Sequence, residues 1–246
     1  MSKDQIVVVN DVKYLIKNNQ DLIENTLVKG QQWNNDILIL IGLLIKKYNL
    51  KHLVNVGSHI GTIALPISRY IKKVTAFEPF PPTFEHLTKN IKLNKIENIK
   101  TYNLALGNCE TKVYFLDNSH ERIKNNSGGM HALTNDDIKK NRLSSKIHSK
   151  KYHSDMKKFD NLPVENFDVM LIDAEGRELD IVKGGAKKIS GNMPIIIMEI
   201  WSNQKRKFEN IFTSKEDVKI QMQNLGYQLI KKINDNYIFF PNHLKK

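Results

Sequence analysis

The fold is decided by the stretch Leu53-Val54-Asn55-Val56-Gly57-Ser58-His59-Ile60-Gly61. Its apolar start is typical of a short buried strand, and two glycines follow at once. Periodic apolar residues then predict a helix that ends near Lys72, with Pro66 inside it. The first glycine allows a tight turn and a close approach of the backbone to a ligand, and a helix N-terminus offers free amides. The stretch therefore predicts a ligand-binding strand–turn–helix element.

Around this element, short apolar strands alternate with helices. Further strands are predicted at 74–78, 99–103, 112–116, 167–173 and 194–200, and helices at 36–48, 177–189 and after residue 79. Two more strands, 227–232 and 237–240, are joined by a turn-rich link and form a hairpin. Continuous apolar strands between helices favour a parallel sheet covered on both faces. We therefore expect an α/β fold, doubly wound, with a mostly parallel sheet and a C-terminal antiparallel hairpin.

The domain organisation follows from the same pattern. Residues 1–50 are expected to be N-terminal helices that pack on the core, and residues 51–246 to form the main domain. Within it, 117–166 shows no clean periodicity and forms a basic insertion. A segment of this length inside a compact domain is usually functional or disordered.

Composition limits the class of protein. The net charge of +12 includes only five arginines among 38 basic residues, and lysine, asparagine and isoleucine are all favoured by AT-rich codons. Since phosphate recognition favours arginine, nucleic acid is the less favoured partner. A single cysteine excludes a disulfide scaffold and a cysteine-based zinc site. The longest apolar run and the N-terminus are too short for a membrane span or a signal peptide, so we expect a cytoplasmic protein.

The glycine turn and the residue after the second strand indicate the cofactor. Glu78 follows Gly57 by 21 residues, and an acidic side chain there can accept both hydroxyl hydrogens of a ribose. His59 stands where the dinucleotide pattern has a glycine, and its side chain would crowd a pyrophosphate. We therefore expect an adenosine-type cofactor without phosphates, such as S-adenosylmethionine, rather than NAD.

A series of motifs resembles the FkbM-type S-adenosylmethionine-dependent methyltransferases, in that family's order and over about residues 33–240. They are 54–61, Phe77-Glu78-Pro79, Leu104-Ala105-Leu106-Gly107, Asn126-Ser127-Gly128-Gly129, 172–178, Val182-Lys183-Gly184 and 194–199. The block Asp173-Ala174-Glu175-Gly176-Arg177-Glu178 is the most specific. The resemblance implies a seven-stranded, Rossmann-like class I fold and O-methylation of a hydroxyl, often on a sugar or a natural product.

The chain departs from the family pattern at three positions. The family usually has Asp where Asn55 stands, Asn where His59 stands, and Lys where Leu171 stands. A neutral Asn55 is expected to weaken the indirect contact with the cofactor's ammonium group. Leu171 cannot fill any role that the family's lysine has in the substrate pocket.

Four residues are candidates for accepting the proton of a hydroxyl nucleophile, because such a nucleophile needs a base. Asp173 is the first candidate, Glu175 and Glu199 the second, and His131 the least favoured. The alternatives are that Asp173 holds the cofactor amine, that Glu175 caps the following helix, and that Glu199 pairs with a lysine. No metal is expected, since Asp180 lies seven residues beyond Asp173. The expected cofactor-binding residues are Asn55, Gly57, Ser58, His59, Gly61, Glu78, Pro79, Phe80, Leu104, Ala105 and Asp173.

The acceptor is expected to be a saccharide or small molecule, bound under a lid formed by the 117–166 segment. Its 120–160 stretch carries ten basic and five acidic residues, which would attract a polar or anionic acceptor. A solvated insertion is the alternative. Two other functions stay open: an RNA methyltransferase, favoured by the charge, and a non-catalytic binding module on a methyltransferase frame.

Overall fold

A computed structural model describes residues 5–115, 126–140 and 152–244. The strands of that part are β1 (Gln5–Val9), β2 (Val12–Ile16), β3 (His52–Val56), β4 (Lys73–Phe77), β5 (Ile99–Tyr102), β6 (Leu104–Leu106), β7 (Thr111–Tyr114), β8 (His153–Lys157), β9 (Val169–Ile172), β10 (Ile195–Glu199), β11 (Tyr227–Ile233) and β12 (Asn236–Pro241). Its α-helices are α1 (Leu22–Val28), α2 (Asn35–Tyr48), α3 (Ala64–Ser68), α4 (Pro81–Leu93), α5 (Asn135–Lys140), α6 (Glu178–Gly184), α7 (Ala186–Asn192), α8 (Asn203–Phe208) and α9 (Lys215–Asn224).

A seven-stranded sheet forms the centre of the molecule, in the order β11-β12-β10-β9-β3-β4-β5. The five strands from β10 to β5 are parallel, whereas β12 pairs antiparallel with both β10 and β11. Because side chains alternate between the faces of a strand, Leu171 joins the core on the side of α2, and Ile172 joins the core on the side of α6. The structure confirms the predicted doubly wound fold and its terminal hairpin.

The N-terminal region differs from the prediction, because 5–16 is a β-hairpin and not a helix. Asn10 and Asp11 both adopt left-handed backbone conformations at its turn (φ 50° and 61°), as a two-residue hairpin turn requires. The hairpin is fixed to α4, where side-chain oxygens of Asn90 and Asn94 accept hydrogen bonds from the amides of Leu15 and Lys13 (both 2.8 Å). The helices expected within residues 1–50 are therefore limited to α1 and α2.

Three other predicted elements differ in the structure. The helix after the glycine turn covers only Ala64–Ser68, and Pro66 inside it has no amide to donate. The predicted helix 177–189 is divided at Gly185, which follows Gly184, where a Cβ atom would lie 1.8 Å from the carbonyl oxygen of Gly107. The predicted strand 112–116 is β7, which belongs to a separate sheet of order β6-β8-β7.

Part of the predicted 117–166 insertion is ordered against the core. It contains a short turn of 3-10 helix at 127–129, α5 and strand β8, whereas 116–125 and 141–151 lie outside the described residues. In the described ranges, no helix combines the length and the apolar character that a bilayer crossing demands.

Candidate active site

A cavity of about 290 Å³ opens at the carboxyl ends of β3, β4, β9 and β10. Ligands bind at this edge in open α/β sheets. Nine of the eleven predicted cofactor-binding residues line the cavity: Asn55, Gly57, Ser58, His59, Glu78, Pro79, Leu104, Ala105 and Asp173. Gly61 and Phe80 do not. Gly61 (φ 97°) packs against Leu65 and Leu87, and the Phe80 ring stacks among other aromatic side chains.

The backbone amides of the glycine turn are not free, in contrast to the expectation from the sequence. The amides of Gly57 and Ser58 both donate to the carbonyl oxygen of Phe77 (3.0 and 2.9 Å), and the amide of Gly61 donates to that of Ser58 (2.9 Å). The helix begins only at Ala64, so its N-terminus does not coincide with the turn. These amides therefore already donate hydrogen bonds within the protein and do not form a binding site for a pyrophosphate.

Gly57 has a role other than the predicted approach to a ligand. Its backbone is left-handed (φ 79°), and a Cβ atom there would lie 1.7 Å from the carbonyl oxygen of Asp173. The absence of a side chain therefore lets the turn after β3 lie directly against the loop after β9. This contact places the predicted cofactor turn and the predicted base side by side.

Glu78 is buried at one end of the cavity, with 7% of its surface exposed. One carboxylate oxygen accepts a hydrogen bond from the amide of His59 (2.9 Å), and the other accepts from the amide of Phe80 (3.0 Å). Burial raises the pKa of Glu78 to about 7, although these two donors act against the rise. Since a carboxylate oxygen can accept more than one hydrogen bond, both retain capacity for ligand hydroxyls.

Two buried polar atoms beside Glu78 have no hydrogen-bond partner in the described part of the chain: Oδ1 of Asn55 and Nδ1 of His59. Both residues line the cavity. The other ring nitrogen of His59 lies 2.8 Å from Oγ of Ser127, and burial lowers the pKa of the imidazole to about 4. A neutral imidazole and an amide oxygen are thus available to a polar ligand, because an unsatisfied buried polar group is costly.

The opposite end of the cavity brings together Asp173, Glu175 and Glu199. One oxygen of each carboxylate lies within 4.8 Å of one oxygen of the other two. Burial, followed by the charge of Glu199 and a hydrogen bond with it, raises the pKa of Asp173 well above its usual range. Burial, followed by the charges of Asp173 and Glu199, does the same for Glu175. Both shifts favour the protonated forms of Asp173 and Glu175, because like charges this close oppose ionisation.

The residues that hold this carboxylate cluster (Asp173, Glu175 and Glu199) include several that the sequence did not single out. Trp201 donates from Nε1 to Glu199 (2.9 Å), and the charge of Lys205 opposes the rise in the pKa of both Asp173 and Glu175. Lys205 lies over the Trp201 ring, 3.6 Å from its centroid. No spacing in the sequence connects Lys205 to Asp173, and only the packing of α8 brings it to the cavity.

A buried ion pair fixes the loop between β9 and α6. Arg206 and Glu178 are in contact at 2.9 Å, and Glu178 also accepts a hydrogen bond from the amide of Gly176 (2.8 Å). Glu178 is thus the residue that satisfies the backbone at the start of α6. Glu175, which the sequence offered as a cap, lies instead in the carboxylate cluster, in a left-handed conformation (φ 51°).

His131 does not line the main cavity. It lines an adjacent cavity of about 220 Å³, where its Nε2 lies 4.0 Å from a carboxylate oxygen of Glu209. The two cavities share Ala132, Glu175 and Arg177 in their walls. The segment 126–130 lines the main cavity, as expected, whereas Lys150 and Lys151 of the expected basic lid lie outside the described residues.

Two of the departures from the family pattern are neighbours in the sheet. Asn55 of β3 is in register with Leu171 of β9, and both line the cavity. The chain thus lacks an acidic and a basic residue at adjacent positions. Because these two charges would cancel, their joint absence leaves the net charge of the cavity unchanged.

Comparison with known proteins shows the family and the fold. The family model of the methyltransferase FkbM domain matches residues 55–229. The fold is similar to that of a methyltransferase FkbM from Methylobacillus flagellatus (16% identity, TM-score 0.51), with 78% of this chain and 44% of that chain aligned. It is also similar to a protein assigned as a caffeoyl-CoA O-methyltransferase from Staphylococcus aureus (14% identity, TM-score 0.50), with 88% of each chain aligned. The chain therefore spans less than half the length of the first of these proteins. No curated protein matches the chain.

Proposed function

The chain belongs to the FkbM family of S-adenosylmethionine-dependent methyltransferases, and on that premise we propose that it methylates a hydroxyl group of a saccharide or another small polyhydroxylated molecule. The observation that carries this proposal is the presence, in one cavity, of the buried carboxylate of Glu78 at one end and the carboxylate cluster at the other. The first suits cofactor binding and the second suits removal of a hydroxyl proton.

The residues present fit S-adenosylmethionine. Glu78 would accept hydrogen bonds from the ribose hydroxyls, while the unsatisfied atoms of Asn55 and His59 would meet other polar groups of the cofactor. Because the amides of the glycine turn already donate to backbone carbonyl oxygens, they offer no site for a pyrophosphate, which supports S-adenosylmethionine over NAD. When bound, the cofactor supplies an electrophilic methyl group on a sulfonium ion. The protein's own contribution is then mainly positioning and proton transfer.

Asp173 is the proposed base. A neutral hydroxyl is a weak nucleophile, and its proton must move to an acceptor within hydrogen-bond reach. In its ionised form Asp173 is a stronger base than an exposed aspartate because its pKa is raised, and its hydrogen bond with Glu199 orients the carboxyl group. Glu175 is the second residue of the cluster that could accept the proton.

The same cluster bears on the choice of acceptor. At this end of the cavity the described wall contains three carboxylates and two basic residues, Lys205 and Arg177, although the whole chain carries a net charge of +12. Arg177 is itself paired with Asp137 and Asp180, so the carboxylates outweigh the basic charge available to a ligand. A phosphate close to the reacting hydroxyl would be repelled, which supports a neutral acceptor over RNA. We also propose that no metal is required, because the charge of Lys205 offsets part of the mutual repulsion of the carboxylates.

The proposal is tested by incubation with methyl-labelled S-adenosylmethionine and three separate pools: glycans, small hydroxylated metabolites and RNA. We expect label in one of the first two pools, in a product stable to mild alkali, as a methyl ether is. The matched control is Asp173→Asn, and a parallel reaction contains EDTA. Label in RNA alone, or in no pool, contradicts the acceptor class, and activity lost in EDTA but restored by Mg²⁺ contradicts the metal-free reaction.

A further inference from the structure

Residues within 22–37 help to form the cavity although they lie outside the range 55–229 that matches the family. Leu22 and Ile23 of α1, and Trp33, Asn34 and Ile37 around the start of α2, are part of its wall. The segment 126–130 from the predicted insertion lines the same cavity. The contact between α1 and this segment is thus made beside the proposed cofactor site.

One buried side chain makes that contact. Asp21 is 2% exposed, and one of its carboxylate oxygens caps α1 by accepting hydrogen bonds from the amides of Ile23 (3.0 Å) and Glu24 (3.1 Å). The other oxygen accepts a hydrogen bond from the amide of Ser127 (2.7 Å). A hydrogen bond from an amide to an ionised carboxylate is among the stronger ones in proteins. Asp21 therefore joins α1 to the 126–130 segment.

The connection continues to the residue proposed to bind ribose. Oγ of Ser127 lies 2.8 Å from Nε2 of His59, and the amide of His59 donates to Glu78 (2.9 Å). Beside Ser127, Gly128 lies so close to Ile23 that a Cβ atom would be 2.6 Å from its Cδ1. The 126–130 segment is thus pressed against α1 and linked through His59 to Glu78.

We propose that Asp21 is a positioning residue of the cofactor site, which holds the 126–130 segment closed against the bound cofactor. This inference rests on the proposed function, since it assumes that the cavity binds S-adenosylmethionine. Without the hydrogen bond from Ser127, the closed arrangement is less populated, and the apparent affinity falls by the same fraction. Because closure acts after the cofactor has entered, the rate of release rises more than the rate of association falls.

The first test is Asp21→Asn, with S-adenosylhomocysteine as the ligand. An asparagine has one acceptor oxygen where aspartate has two, so it can cap α1 or receive the Ser127 amide, but not both. We expect about tenfold weaker binding by calorimetry, and a similarly faster release in stopped-flow experiments. Ser127→Ala removes only the contact with His59, and we expect about threefold weaker binding.

A matched control separates positioning from capping. Ser214→Ala removes the capping side chain of α9, which accepts from the amide of Asp217 (3.1 Å) and does not line the cavity. It should lower the melting temperature while leaving the affinity and the release rate unchanged. If Asp21→Asn behaves like this control, Asp21 is only a helix cap and the inference is overturned. Should Asp21→Asn fail to fold, Asp21→Ser takes its place, because serine has a single side-chain oxygen that can cap α1, and an unchanged affinity in that variant overturns the inference. A wild-type protein that does not bind the ligand overturns the proposed function, and this inference with it.

Discussion

At one end of the cavity Glu78 stands alone with two backbone donors, whereas at the other end Asp173, Glu175 and Glu199 crowd together. Burial raises the pKa of acids at both ends, but the opposing influences differ. Around Glu78, fixed amides stabilise the ionised form and orient its oxygens. In the cluster, neighbouring carboxylates favour retention of a proton. Within one cavity, a buried carboxylate held by amides suits hydrogen bonding to a ligand, whereas a buried carboxylate beside other acids suits holding a proton.

The largest effect is expected at the crowded end. Asp173→Asn keeps the shape of the side chain but removes its basicity, so we expect methyl transfer to slow by roughly 10²–10⁴-fold. Affinity for S-adenosylhomocysteine should stay within a few fold of wild type. Turnover is measured with labelled cofactor and affinity by calorimetry. Lost affinity with normal turnover of the bound enzyme would instead make Asp173 a cofactor ligand, and the role of base would pass to Glu175 or Glu199.

At the Glu78 end of the cavity we expect the opposite result, a loss of cofactor affinity with little change in turnover. Glu78→Ala removes the acceptor of the ribose hydroxyls, and we expect roughly 10–100-fold weaker binding of S-adenosylhomocysteine. Turnover at saturating cofactor should change little, because Glu78 does not belong to the carboxylate cluster. Equal affinity in the variant and in wild type would show that Glu78 does not bind the ribose hydroxyls.

A change of pH is expected to have a smaller effect on the stability of the protein and on its affinity for the cofactor product. The pKa of Glu78 is raised to about 7 in the folded protein, so folding favours its protonated form. Its contribution to stability is therefore present at low pH and is lost as the pH rises from the unfolded value of about 4.5 through 7. Ligand hydroxyls prefer the ionised form, so affinity should change in the opposite direction and weaken below pH 7, by at most tenfold per unit.

Glu78→Gln is the control for this profile, since it removes the titration while keeping a polar side chain of similar size. Its affinity for S-adenosylhomocysteine should be weaker and less dependent on pH near 7. A wild-type profile that persists in Glu78→Gln assigns the pH dependence to other groups, of which the carboxylate cluster is the first candidate.

The sequence predicted the parts of this site that depend on strand order. Parallel strands end at the same edge of a sheet, so Gly57, Glu78, Asp173 and Glu199 could be placed together from the ends of four predicted strands. The spacing of Gly57 and Glu78 also predicted a ribose-type carboxylate. These inferences needed only chain direction and periodicity, and both are visible in a single sequence.

The rest depended on contacts between segments that are distant in the chain. The amides of the glycine turn are committed because Phe77 and Glu78 accept from them, which spacing alone does not reveal. The adjacency of Asn55 and Leu171 is a matter of sheet register. Asp21 could be recognised as a possible helix cap, but no pattern connected it to Ser127, 106 residues away. Such contacts are set by tertiary packing, which local patterns do not record.

The most direct test of the account is a pair of calorimetric titrations of the wild-type protein, one with S-adenosylhomocysteine and one with NAD. The cavity holds the oriented carboxylate of Glu78, which suits a ribose. A pyrophosphate would need free backbone amides, but those of the glycine turn donate to backbone carbonyl oxygens. We therefore predict saturable binding of S-adenosylhomocysteine at one site and no measurable binding of NAD. Tight binding of NAD, or no binding of S-adenosylhomocysteine, would contradict the assignment of this cavity as the cofactor site.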